Sequence, residues 1–215
     1  FGVLIGPQKW NYPWKECAWS ARLENIINNV FFGGEPAVRI LNVARGGVSS
    51  HVATMMFQYG LLPDEFRDPH IVLLAHSAND AKVVDGDAVF YDHMQGLVRA
   101  ANRLNTCHDD MPLVAWVDDF YSLDPAVGSH GVTPTRAMGH TSKMFALSSW
   151  HQTMMISYGN VVRNEILWGY LGRNYVDALT GSVHTIHMGQ GLHAGVAWVV
   201  LYNFLASITN ICQGN

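Results

Sequence analysis

Basic charge is scarce in this chain of 215 residues. Lys and Arg number 13 against 17 Asp and Glu, and only 14% of all residues are charged. No run of Lys and Arg occurs, so the phosphate contacts that a nucleic-acid partner requires are missing and no such partner is expected. Long apolar runs are missing too. The best candidate, Val196 to Leu205, carries Tyr202 and Asn203 and falls short of the roughly 20 residues of a membrane span, so no span is expected. There is no Asn-x-Ser/Thr sequon, which weakens a glycosylated surface protein as a reading. Cysteine is reduced to Cys17, Cys107 and Cys212, with no Cys-x-x-Cys pair and no metal spacing. An odd count fits one disulfide plus a thiol in an exported protein, or three thiols inside a cell; composition does not choose.

What is present is apolar bulk. At 49% hydrophobic, 215 residues suffice for one α/β domain with a sizeable core. Phe1 to Ile5 is a short apolar run closed by Gly6-Pro7, and Trp10, Tyr12 and Trp14 follow as an aromatic segment covering a core edge. From about Cys17 the period becomes helical. Trp19, Leu23, Ile26, Ile27 and Val30 share one face, and Gly33-Gly34 ends the helix. Val38 to Val43 reads as a strand. It runs into Ala44-Arg45-Gly46-Gly47, after which Ser49 or Ser50 caps a helix reaching Tyr59.

Ile71 to Ala75 is a further strand, ending abruptly in His76-Ser77-Ala78-Asn79-Asp80. A buried parallel strand that delivers polar groups to the carboxyl edge of a sheet has this pattern. Val89 to Leu104 reads as a helix with Val89, Met94, Leu97, Val98, Ala101 and Leu104 on one side, and Leu113 to Val117 as a strand followed by Asp118 and Asp119. Tyr121 to Thr141 is long and irregular, of the kind that is functional more often than connecting. A helix from about Lys143 to Thr153, a mixed segment through Tyr175, and an apolar helix from Ala194 to about Ser207 close the chain. Strands alternating with helices, without a repeat or linker, argue for a single domain, 1–215, with a mostly parallel sheet flanked by helices.

Three small-residue turns then fall in order: Asn42 to Ser50, Ser77 to Ala81, and Gly189 to His193. Their order and residue types resemble the SGNH (GDSL-type) hydrolase superfamily. The segment Asn42 to Ser49 is similar to its glycine block, Ser77-Ala78-Asn79-Asp80 to its asparagine block, and Gln190-Gly191-Leu192-His193 to its final block. Ala18 to Leu23 is similar to the helix after the nucleophile block. The resemblance implies a three-layer α/β/α domain, an oxyanion hole from Gly47 (or Gly46) and Asn79, and His193 as base. It also implies an ester substrate, such as an acylated carbohydrate or lipid, no cofactor, no metal, and a family often exported.

The chemistry explains the choice of residues. A hydroxyl nucleophile needs a base within hydrogen-bond reach, and the oxygen that becomes negative needs donors aimed at it. Two departures stand out. The Gly-Asp-Ser nucleophile block is absent from these 215 residues. Either the block lies upstream of Phe1, which the start without Met favours, or Phe1 to Ile5 is itself the first strand and Gly6-Pro7-Gln8 stands where the nucleophile belongs. Gln190 also replaces the acid that would orient His193, so charge stabilisation of an imidazolium is lost unless another carboxylate such as Asp177 supplies it. The rival to an esterase is a non-catalytic descendant of the fold, serving as a binding or structural subunit among protein partners. His184-x-x-His187 lacks the glutamate of a zinc helix, and Gly189-x-Gly191 lacks the strand and acid of a dinucleotide site.

Overall fold

The computed structural model describes residues 18–44, 48–66, 68–76, 80, 87–104, 111–119, 134–161 and 190–213. By contact the chain forms two compact units, Gly47–Gly159 on the one hand and Phe1–Gly46 with Asn160–Asn215 on the other.

The unit Gly47–Gly159 holds a parallel sheet of three strands, β1 (Ile71–Leu74), β2 (Leu113–Asp118) and β3 (Met154–Ser157), in the order β1-β2-β3. Leu74 pairs with Trp116, and Asp118 with Ser157. Parallel neighbours need a crossover, and helices supply both: α3 (Asp87–Ala101) joins β1 to β2, and α4 (Pro134–His151) joins β2 to β3. Helix α2 (Ser50–Gln58) precedes β1. In β2 every residue after Leu113 is buried, the pattern of a strand covered on both faces. The chain is thus an α/β protein built on a parallel sheet, as expected from the alternation of periods. The strands at Ile71 and Leu113 are where the sequence places them. Strand β3 falls in the segment read as mixed, since four residues with two Met carry little strand signal. Helix α4 reaches into the stretch expected to be irregular; Pro134 opens it, the position proline favours.

The core packs Val72, Leu74, Val114 and Trp116 of the sheet against Ala53 of α2, Met94 and Leu97 of α3, and Met144 of α4. Val89 does not join it, at 47% exposed; Phe90, at 3%, does. Phe90, Met94, Leu97, Val98 and Ala101 are spaced i, i+4, i+7, i+8, i+11, and a residue one position earlier is rotated about 100° off that stripe. Trp116 is 1% exposed, and its indole N–H donates to Thr153 Oγ1 at 3.0 Å, so the polar end of a buried aromatic is satisfied.

In the other unit, α1 (Trp19–Ile26) runs on as a π-helical turn, Ile27–Phe31. Trp19 and Leu23 are buried as expected, but Val30 is 66% exposed. The extra residue in an i→i+5 turn rotates later side chains off the apolar stripe. Gly33 (φ +62°) and Gly34 (φ +93°) then end the helix, with the Gly34 N–H donating to the Asn28 carbonyl at 2.9 Å.

Val38 to Val43 has no regular secondary structure and pairs with no strand among the described residues, which corrects the strand expected there. Side chains of α1 take the place of a ladder. Asn28 both donates to and accepts from the Val38 backbone, at 2.8 and 2.9 Å; Glu24 accepts the Ile40 N–H; Asn42 Nδ2 donates to Ser20 Oγ at 3.1 Å. Every second residue of the segment meets every fourth residue of the helix.

Helix α5 (Gln190–Cys212) is longer at both ends than the sequence suggests. It buries Val196, Ala197, Val200 and Leu201 and packs against α1. By length and composition His193–Cys212 is apolar enough to cross a membrane, whereas Val196 to Leu205 alone is too short.

Candidate functional site

Among the described residues, the carboxyl ends of the three strands carry polar residues: His76 and then Asp80 after β1, Asp118 and Asp119 at β2, Ser157 at β3. This is the edge where open parallel sheets place their ligands. Asp118 is 4% exposed, and its Oδ2 accepts from Thr141 Oγ1 at 2.8 Å and from Ser157 Oγ at 2.7 Å. It thereby ties β2 to α4 and β3.

Asp80 is more deeply placed, at 1% exposed. Its Oδ1 accepts the Ser50 N–H at 2.8 Å, and the Ser50 side chain also favours its charged form. Its own N–H donates to the His76 carbonyl at 3.0 Å. Burial pushes its pKa up to about 6, against the opposing pull of the Ser50 N–H. Asp80 is also the cap of α2. Ser49 occupies the N-cap position in extended backbone but contributes no side-chain cap bond. The expected serine cap is therefore replaced by a carboxylate 30 positions away, which binds the amide more strongly than a hydroxyl does.

His76 lies beside it. Its Nδ1 faces the Val48 carbonyl at 3.5 Å, a long contact that assigns the ring proton to Nδ1. Burial lowers its pKa to about 4, against the Val48 carbonyl and the Asp119 carboxylate, which act the other way. At neutral pH the ring is uncharged. Asp80 stands in the asparagine-like block and His76 just before it, and neither carries a role in that resemblance; a polar side chain that bonds a backbone amide 30 residues away leaves no local signal.

His193, in the other unit, sits in the first turn of α5, the helix that Gln190 begins. Its Nδ1 accepts the Trp19 N–H at 3.3 Å, which occupies one of the helix-start amides that lack a partner within α1. A neutral imidazole accepting at Nδ1 carries its proton on Nε2. A base that takes a hydroxyl proton through Nε2 needs the other tautomer, so that action requires the Trp19 bond to be exchanged for an acceptor of Nδ1–H. Gly46, Gly47, Asn79, Asp177, His184 and His187 lie outside the described residues, as do Cys17 and Cys107; Cys212 is an exposed free thiol. Among the described residues no group of three His, Cys, Asp or Glu could hold a metal ion.

No protein-family model and no curated protein sequence matches this chain. A solved structure does: Est24, a carbohydrate acetylesterase from Sinorhizobium meliloti, at a TM-score of 0.63 and 13% identity, over 96% of this chain and 92% of that one. The class defined by fold is thus that of an α/β protein shaped like this esterase.

Proposed function

We propose that the protein is an SGNH-type serine ester hydrolase that removes acetyl or other acyl groups from a carbohydrate. The observation that carries this reading is the likeness to a carbohydrate acetylesterase over nearly the whole chain at a TM-score of 0.63. The order of the three turns at Gly46-Gly47, Asn79 and Gln190 to His193 supports it. In this reading a serine hydroxyl attacks the ester carbonyl, and the Gly47 N–H and the Asn79 amide stabilise the developing oxyanion. Each such donor is worth on the order of a hundredfold in rate. His193 takes the hydroxyl proton and returns it to the departing sugar oxygen, leaving an acetyl-enzyme that water hydrolyses. Gln190 replaces a charged orienting group by a neutral amide, which lowers the rate without changing the route.

The test is labelling of the native full-length protein with a fluorophosphonate, paired with acetate release from acetylated xylose. The expected result is one covalent adduct per chain, on a serine that peptide mass spectrometry locates, and acetate release abolished by the label. A folded protein that forms no adduct and releases no acetate refutes the proposal.

A further inference from the structure

We infer that the outer face of α5 is a pairing surface for a second copy of this chain, the two helices lying antiparallel across a two-fold axis.

Helix α5 contains no Asp, Glu, Lys or Arg from Gln190 to Cys212. A helix that is apolar on all sides is normally covered on all sides. Here one side is covered: Val196, Ala197, Val200 and Leu201 are buried, and the helix packs against α1. The opposite side is open. Trp198 is 56% and Tyr202 71% exposed, and Leu205, Thr209 and Cys212 are exposed after them. Counted from the half-buried Gly195, these positions advance by three and four residues in turn. That alternation is the seam of a helix whose gaps receive the side chains of another helix.

Three features point to a second copy as the occupant. A helix lying on a membrane surface carries Lys or Arg along its polar flanks, and α5 has none. Charges beside a seam select a different partner or repel a like one, and here none does either. The third feature is shape. In the antiparallel register Trp198 meets Thr209 of the second copy, Tyr202 meets Leu205, and Gly195 meets Cys212, so the bulkiest side chain faces a small one. A parallel pair would set Trp198 on Trp198 and leave Gly195 opposite Gly195.

The open area fits a weak dimer. With about 150–250 Å² for a large side chain, the seam and the flanking Ile208 expose roughly 550 Å² on each copy. Two copies would bury roughly 1,100 Å², above most crystal-packing contacts and at the low end of specific interfaces. A dissociation constant on the order of 10–100 µM is expected.

Sedimentation velocity of the native full-length protein from about 1 to 200 µM tests the pairing. The parent is expected to pass from monomer to dimer across that range. Tyr202→Glu and Leu205→Glu each put a charge on the open face and leave the core alone. Circular dichroism is expected to be unchanged in both, and dimerisation to weaken at least about tenfold. Direction is read from Thr209→Trp, which sets Trp against Trp198 and weakens the dimer; adding Trp198→Thr exchanges the pair and restores it. A parent that stays monomeric at the highest concentration overturns the inference, as does a dimer that both Glu variants leave intact. Failure of the second exchange to restore the dimer overturns the antiparallel arrangement. A monomeric parent that floats with phosphatidylcholine–phosphatidylglycerol vesicles, and loses this in Tyr202→Glu, overturns the inference in favour of a lipid surface.

Discussion

Asp80 and His76 are neighbours with opposite protonation preferences, and the stability of the fold against pH should expose both. Asp80 has its pKa raised from 3.8 to about 6 by burial, so the folded state holds this proton more firmly than the unfolded one. Its contribution is fully present below pH 3.8 and is lost as pH rises through about 6. His76 has its pKa lowered from 6.5 to about 4, so the unfolded state takes up the proton first. Its contribution is fully present above pH 6.5 and is lost as pH falls through about 4. Each interval spans a little over two pH units, and at 1.36 kcal/mol per unit each is worth about 3 kcal/mol. Because the signs oppose over nearly the same window, the pair is expected to contribute almost no net slope in the parent protein.

Removing one member uncovers the other. Relative to the parent, Asp80→Asn should lose about 3 kcal/mol of stability as pH falls from 6.5 to 4, the His76 slope standing alone. His76→Gln should gain a similar amount over the same fall, the Asp80 slope standing alone. The assay is urea unfolding followed by tryptophan fluorescence at pH 4, 5, 6 and 6.5, the seven tryptophans giving ample signal. The quantity compared is the difference between variant and parent, so that other titrating groups cancel. Slopes of the same sign in the two variants, or differences flat across the window, would falsify the assignment of either pKa.

Three further outcomes follow from packing and hydrogen bonding. A Cβ at Gly96 would stand 3.4 Å from Thr54 Cγ2, in contact without overlap, so Gly96→Ala is expected to stabilise α3 by about 0.5–1 kcal/mol in thermal unfolding, whereas Gly96→Leu destabilises by driving α2 off α3. Trp116→Ala should cost about 3–5 kcal/mol, and Thr153→Val only about 1–3 kcal/mol, because the first empties the core while the second leaves one buried N–H unpaired; equal losses would contradict this. Asn28→Ala removes both bonds to the Val38 backbone, so hydrogen exchange at Val38 should accelerate about five- to thirtyfold, from a loss of about 1–2 kcal/mol.

Much of this architecture is written in local patterns. The apolar run after Leu113 is continuous because β2 is buried on both faces, and continuity is visible in a sequence. The same holds for the end of the first helix at Gly33, where a positive φ suits glycine, and for the stripe of α3 from Met94 to Ala101.

Other features depended on partners far along the chain. Val38 to Val43 has the composition of a strand, and its composition cannot show that Ser20, Glu24 and Asn28 bind its backbone in place of a ladder. Ser49 has the chemistry of a cap, yet Asp80 holds the amide, because a buried carboxylate competes better for an N–H than a hydroxyl does. His193 reads as a base, and only the Trp19 N–H at 3.3 Å decides which of its nitrogens carries the proton. The sequence by itself located the strands at Ile71 and Leu113 and the helices around them, but not β3 or the unpaired segment Val38 to Val43. Tertiary structure decided which polar groups meet, and so their charge, their proton and their role, because desolvation and hydrogen-bond partners are properties of the packed chain.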